Sequence, residues 1–107
     1  MSLATHMRVS ALLQSCHGRG EGAYVMRKGD RMAGALLIRQ NHMDGTSTLY
    51  ARRYTMENEA EWQPVNGDTP LPDAEADTTI EKRAANDPDL WVIEVEARDM
   101  EALLSGL

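Results

Sequence analysis

Apolar and polar residues alternate most clearly between Gly34 and Tyr54, GALLIRQNHMDGTSTLYARRY, and this predicts two strands joined by a tight turn. Asp44-Gly45 is the strongest short-range hairpin signal, because a type I′ turn needs positive φ at both central residues and Asp-Gly tolerates it. On the returning strand Thr46, Thr48, Tyr50, Arg52 and Tyr54 then share one face, and Ser47, Leu49, Ala51 and Arg53 share the other. On the outgoing strand Leu36 and Ile38 oppose Ala35, Leu37 and Arg39. Both of its faces are apolar, as an interior strand covered on two sides requires.

The same patterning extends in both directions. Val9, Leu12, Leu13 and Cys16 fall at i, i+3, i+4 and i+7, which predicts a helix from Thr5 to His17 with Thr5 as N-cap and Gly18 as its left-handed C-cap. Gly18 to Gly22 is a flexible connector, Ala23 to Lys28 a first strand, and Gly29 to Ala33 the turn into the hairpin. Three consecutive strands read as a meander. After a polar stretch, Ala60 to Val65 around Trp62 predicts a short strand or edge piece. Leu71-Pro72-Asp73 opens a second helix with Asp73 as N-cap. It shows a thin apolar face of Ala76, Ile80 and Ala84 and stops at Asn86 or Asp87 before Pro88. Trp91 to Glu96 is the second strong strand, with Trp91, Ile93 and Val95 facing one way and Val92, Glu94 and Glu96 the other. Met100 to Leu104 is a last helical turn that packs Leu103 and Leu104. The expected fold is α+β: one domain over residues 1–107, held more loosely at 1–4 and 100–107. Two helices cover one face of a mixed sheet, and the last strand returns beside strand one or strand two.

Composition narrows the class. A chain of 107 residues that is 42% hydrophobic and 26% charged fits one small domain, burying roughly 65% of its unfolded surface. With no Phe, the core rests on aliphatic residues and Met. A single cysteine, Cys16, permits no internal disulfide, and no signal-peptide pattern or membrane-length apolar run appears. A cytoplasmic setting without membrane contact is expected.

Charge adds an asymmetry that the net value of −6 conceals. Residues 1–54 hold eight Lys/Arg against three Asp/Glu, and residues 55–107 hold three against fourteen, so the halves carry +5 and −11. Either the two halves neutralise each other within the fold, or they stay on separate faces and each attracts a partner. The first is the ordinary outcome for such charges.

No residue constellation specifies a reaction, a cofactor or a metal. Cys16 lies on the helix's apolar stripe, and Cys16 with His6, His17 and His42 lacks the paired spacings of a zinc site. The meander would gather Arg27, Arg39 and Arg52 with Tyr50 and Tyr54, a candidate binding face. Arginines among tyrosines also suit single-stranded nucleic acid, but a chain of net charge −6 without an RNP motif disfavours it. Asp87, Asp89, Glu94 and Glu96 are the one carboxylate group with catalytic potential. An E-x-E strand motif downstream of an Asp suits metal-dependent phosphodiester or phosphate chemistry, though Glu96 stands where a Lys is usual. Carboxylates paired with Arg39 or Arg52 explain the same residues. The leading expectation is therefore a small non-catalytic binding module. Its basic hairpin or an exposed strand edge would meet an acidic protein partner or a second copy.

Five motifs taken in order carry a resemblance: V-S-A-L-L at Val9–Leu13, R-K-G-D at Arg27–Asp30, G-A-L-L-I at Gly34–Ile38, D-G-T with L-Y between Asp44 and Tyr50, and D-P-D-L-W-V-I-E at Asp87–Glu94. Together they resemble the bacterial family catalogued as domain of unknown function 1491, over roughly Val9 to Glu96; Arg53 to Asp68 matches least. The resemblance implies one small bacterial domain centred on the hairpin and the last strand, and it brings no activity with it.

Overall fold

The computed structural model describes residues 3–54 and 60–107; of Tyr54 and Ala60 only the backbone is described. In chain order the elements are α1 (Thr5–Gly18), β1 (Ala23–Arg27), β2 (Leu36–Asn41), β3 (Thr46–Tyr54), β4 (Ala60–Pro64), β5 (Leu71–Pro72), α2 (Asp73–Asn86), β6 (Trp91–Val95) and α3 (Met100–Leu104). The strands form one mixed sheet in the order β1-β6-β2-β3-β4, with the two-residue β5 pairing beside β3. The α+β class, the leading helix and the mixed sheet agree with the sequence pattern.

The strand order differs from it in one respect. The meander is β2-β3-β4, because β6 inserts between β1 and β2, antiparallel to the first and parallel to the second. Burial explains the insertion. Four of the five residues of β6 are buried, with Trp91, Ile93 and Val95 in one core and Val92 in the other. A strand apolar on both faces gains most at the centre of a sheet.

The helices also do not share a face. Val9, Leu12 and Cys16 of α1 pack with Leu36, Ile38, Trp91, Ile93 and Val95, joined by Met100 and Leu103 of α3. On the opposite face Leu37, Leu49, Leu90 and Val92 pack with Ala76 of α2. Leu36 and Ile38 point away from Leu37, so each set needs its own cover. One helix could not serve both.

Three local features differ from expectation, two of them because a side chain finds another partner. Thr5 is the first helical residue rather than the cap; its hydroxyl is buried and donates to the Gly34 carbonyl at 2.7 Å. Asp73 likewise begins α2 and turns its carboxylate toward Arg39 and Ser47, 26 residues earlier in the chain. The helix α1 runs through Gly18, and the positive φ belongs to Gly20 at 72°.

The hairpin turn is longer than a two-residue type I′ turn. Positive φ falls on Met43 at 62° and Gly45 at 89°, not on Asp44. Asn41 accepts from the Met43 amide at 2.8 Å, and Asp44 accepts from the Thr46 amide at 3.0 Å and its hydroxyl at 2.6 Å. Asp44 acts as an acceptor that closes the turn. These bonds, the hydroxyl first, hold its carboxyl below the ordinary aspartate range. A carboxyl held below its unfolded value stabilises the fold above the unfolded pKa, and that contribution is lost as pH falls through the folded pKa. In a carboxyl NMR titration, Thr46→Val should move the Asp44 midpoint upward, toward the ordinary value. An unchanged midpoint would show that the hydroxyl bond is not what holds it.

Candidate functional site

The polar groups of this fold collect at three places, and the first is inside it. Alternation puts Arg39 on the same face of β2 as Leu37, under α2, where its side chain is 5% exposed. The guanidinium is enclosed by the acidic half of the chain. Nε donates to Ser47 Oγ at 3.1 Å and lies 3.7 Å from Glu94 Oε1, Nη1 bonds Asp77 Oδ1, and Nη2 lies 3.3 Å from Asp73 Oδ1. Ser47 in turn donates to Asp73 Oδ1 at 2.8 Å. Burial disfavours the cation, but the hydrogen bond and charge of Asp77, with Asp73 and Glu94, outweigh it and raise the arginine pKa further. One cation is shared by three carboxylates, so the basic and acidic halves do neutralise each other here.

The other expected binding residues do not join it. Arg27 is on β1, beyond β6, and its Nη2 donates to the Pro88 carbonyl at 3.0 Å. Tyr50 and Arg52 lie on the α1 face, opposite Arg39. The Tyr50 hydroxyl donates to Gln40 at 3.3 Å, burial pushes its pKa up, and Arg52 stacks over Trp62 at 5.8 Å. Tyr54 closes β3, and its side chain lies outside the described residues. The structure distributes the arginines and tyrosines over both faces instead of forming one platform.

The carboxylates are also dispersed. Asp87 and Asp89 precede β6, and Asp87 accepts from the Asp89 amide at 3.1 Å. Glu94 is held by Arg39. Glu96 follows the far end of the strand, seven positions from Asp89, roughly 20 Å along an extended chain. Among the described residues no group of three or more His, Cys, Asp or Glu stands close enough to hold a metal ion.

The second place is a polar cleft of about 740 Å³ at the carboxyl ends of the parallel strands β2 and β6, lined by Arg19, Glu21, Gln40, His42, Glu96 and Arg98 among others. Most of its polar groups are already engaged. Gln40 Nε2 donates to the Ala97 carbonyl at 2.9 Å, His42 Nε2 pairs with Thr48 at 2.8 Å, and Glu21 Oε2 accepts from the Arg98 amide at 3.0 Å. A hydrogen bond to Glu96 raises the Tyr24 pKa. Cys16, in the core under α1, is fully buried, and burial, aided by the charge of Glu21, pushes its thiol up and away from nucleophilic use.

The third place is the outer edge of β1. This strand pairs only with β6 among the described residues. The Glu96 amide donates to the Gly22 carbonyl at 2.9 Å, so the hydrogen-bonded positions on this side are Gly22 and Tyr24. Ala23 and Val25 therefore direct their backbone N–H and C=O away from the sheet. The side chains there are uncovered: Tyr24 is 53% exposed, Val25 45% and Met26 49%. A bulge between Val25 and Arg27 ends the regular stretch. Sequence periodicity marks β1 as a strand but does not show that it is an edge, because that depends on where β6 inserts.

The comparisons with known proteins agree with this fold. A family model described as protein of unknown function, DUF1491, matches residues 3–105. A crystal structure of a DUF1491 family protein from Caulobacter crescentus CB15 is 32% identical with a TM-score of 0.85, covering 97% of this chain and 96% of that one. The solution structure of a protein from A. tumefaciens is 30% identical with a TM-score of 0.82, covering 98% and 94%. An NMR structure of a DUF1491 family protein from Caulobacter crescentus CB15 is 34% identical with a TM-score of 0.77, covering 92% and 89%. No curated protein matches the chain. Among the described residues no helix is long and apolar enough to cross a membrane.

Proposed function

We propose, for a chain that belongs to the DUF1491 family, a non-catalytic role as a protein-interaction module whose contact element is the free edge of β1. One observation carries this reading: a sheet edge with outward backbone donors and acceptors is flanked by three exposed side chains, Tyr24, Val25 and Met26. An added strand would satisfy the backbone groups of Ala23 and Val25 and cover those side chains on both faces. The polar groups elsewhere support the same reading, since Arg39, Gln40, Glu94 and His42 are occupied within the fold.

A photo-crosslinking residue at Val25 tests this in living cells. A covalent adduct is expected from position 25 and not from Glu81, which is exposed on α2. Equal labelling at both positions, or none at 25, would remove β1 as the contact element.

A further inference from the structure

We infer that the opening between β2 and β3 is a ligand site, separate from the β1 edge, that takes a small molecule with a carboxylate on an apolar body. The β2–β3 ladder ends at Ile38 with Tyr50, although β2 begins two residues earlier at Leu36 and β3 runs on to Tyr54. The sheet splits there. Beyond that point β2 keeps β6 as its partner and β3 keeps β4, with Leu36 beside Trp91 and Arg52 beside Trp62. On this ladder the His42 amide donates to the Thr46 carbonyl, so even-numbered residues of β2 and β3 turn their backbone groups toward each other. Leu36 and Arg52 would be the next such pair in register, and their backbone groups face the opening instead.

A cavity of about 700 Å³ lies at the split and is lined from both faces of the sheet. Leu36 and Arg52 belong to the α1 face and Leu37 and Ala51 to the α2 face, so an intact ladder would keep them apart. The volume and the aliphatic floor of Leu36, Leu37, Ala51 and Leu90 suit a small molecule. The charged groups around that floor are mainly basic. Arg52 extends from β3 and lies over the Trp62 ring, Arg83 extends from the last turn of α2, and neither meets a carboxylate among the described residues. Arg8 of α1 is the third, and it donates to the Leu107 carbonyl at 3.4 Å. Among the described residues the one acid of the lining is Asp87, which is turned to its own loop and accepts from the Asp89 amide. Guanidinium groups around an apolar floor select an oxyanion with an apolar body, because arginine stays charged and grips a carboxylate with two hydrogen bonds.

Octanoate titrated into the isotope-labelled intact protein is expected to saturate with a dissociation constant below about 1 mM, and the largest amide NMR shifts should fall at Leu36, Leu37 and Ala51. Butyrate keeps the carboxylate and loses most of the apolar body, and octanol keeps the body and loses the charge. Each should bind at least about tenfold more weakly. Arg83 is exposed, so Arg83→Gln should leave the fold intact; it and Arg52→Gln should each weaken octanoate by about threefold to tenfold and leave octanol unchanged. Ala51→Leu fills part of the opening and should weaken octanoate and octanol alike, with the circular dichroism spectrum unaltered. Octanoate that fails to saturate by about 10 mM, that binds no better than octanol, or that keeps its affinity in both arginine variants would overturn the site.

Discussion

Gly34→Ala is expected to lower the melting temperature by about 12–24 °C, corresponding to about 3 kcal/mol in a domain of this size. A Cβ at Gly34 would stand 2.3 Å from the Asp89 carbonyl oxygen, and one at Gly29 would stand 2.1 Å from the same atom. Neither clash can be relieved by rotating a side chain, because the opposing atom is backbone. The Asp89 carbonyl also accepts from the Asp30 amide at 3.0 Å, while Trp91 Nε1 donates to the Asp30 carbonyl at 2.6 Å and the Trp91 amide to the Ala35 carbonyl at 2.9 Å. Two segments nearly sixty residues apart are thus joined without room for a methyl group. Moving Asp89 would move the start of β6, which supplies residues to both cores. Gly18→Ala is the control: its Cβ meets nothing within 4 Å, and it should be neutral or stabilise by up to about 1 kcal/mol. Thermal unfolding followed by circular dichroism measures both. A Gly34→Ala protein melting within about 3 °C of the parent would show that the junction is not as rigid as these distances require.

That junction also accounts for two of the motifs carried by the family resemblance. Arg27–Asp30 and the start of Asp87–Glu94 meet there: Arg27 donates to the Pro88 carbonyl and Asp30 to that of Asp89. From the sequence alone these motifs suggest a reacting group as readily as a joint, because an Asp beside a Gly or Pro serves either purpose. The local elements were legible since their signals are local, from the stripe of α1 to the alternation of β2, β3 and β6. What was not legible depends on long-range matching. Val92, apolar among Glu94 and Glu96, marks a strand needing cover on both faces, yet which neighbours provide it is decided only when the two cores assemble. Thr5 and Asp73 have the chemistry of caps and are drawn from that role by Gly34 and Arg39, partners that sequence distance conceals. Arg39 is the largest difference. It reads either as part of a binding face or as a partner of the strand carboxylates; its alternation with Leu37 already put it on an inward face, and three carboxylates of the acidic half make that burial tolerable.

Replacing Arg39 by Met, which retains the stem and removes the charge, is expected to cost about 2–3 kcal/mol. Losing one member of a buried ion pair usually costs about 3–5 kcal/mol, because the other charge remains buried without compensation. Here the penalty is smaller, since Asp73 is 42% exposed and Asp77 58%, and water takes over part of their solvation. Glu94, at 22% exposure, has less recourse, and Ser47, fully buried, loses the Nε donor. Two measurements separate this electrostatic origin from a simple packing defect. The deficit of Arg39→Met should shrink as salt is raised toward 1 M, because three neighbouring carboxylates then repel one another less, whereas a cavity would not respond this way. Asp77→Asn should cost less in the Arg39→Met background than in the parent, giving an interaction energy of about 1–2 kcal/mol in a double-mutant cycle by urea unfolding. A loss below about 0.5 kcal/mol for Arg39→Met, or additive costs in the cycle, would mean that the chain's opposite charges are adjacent without holding each other in place.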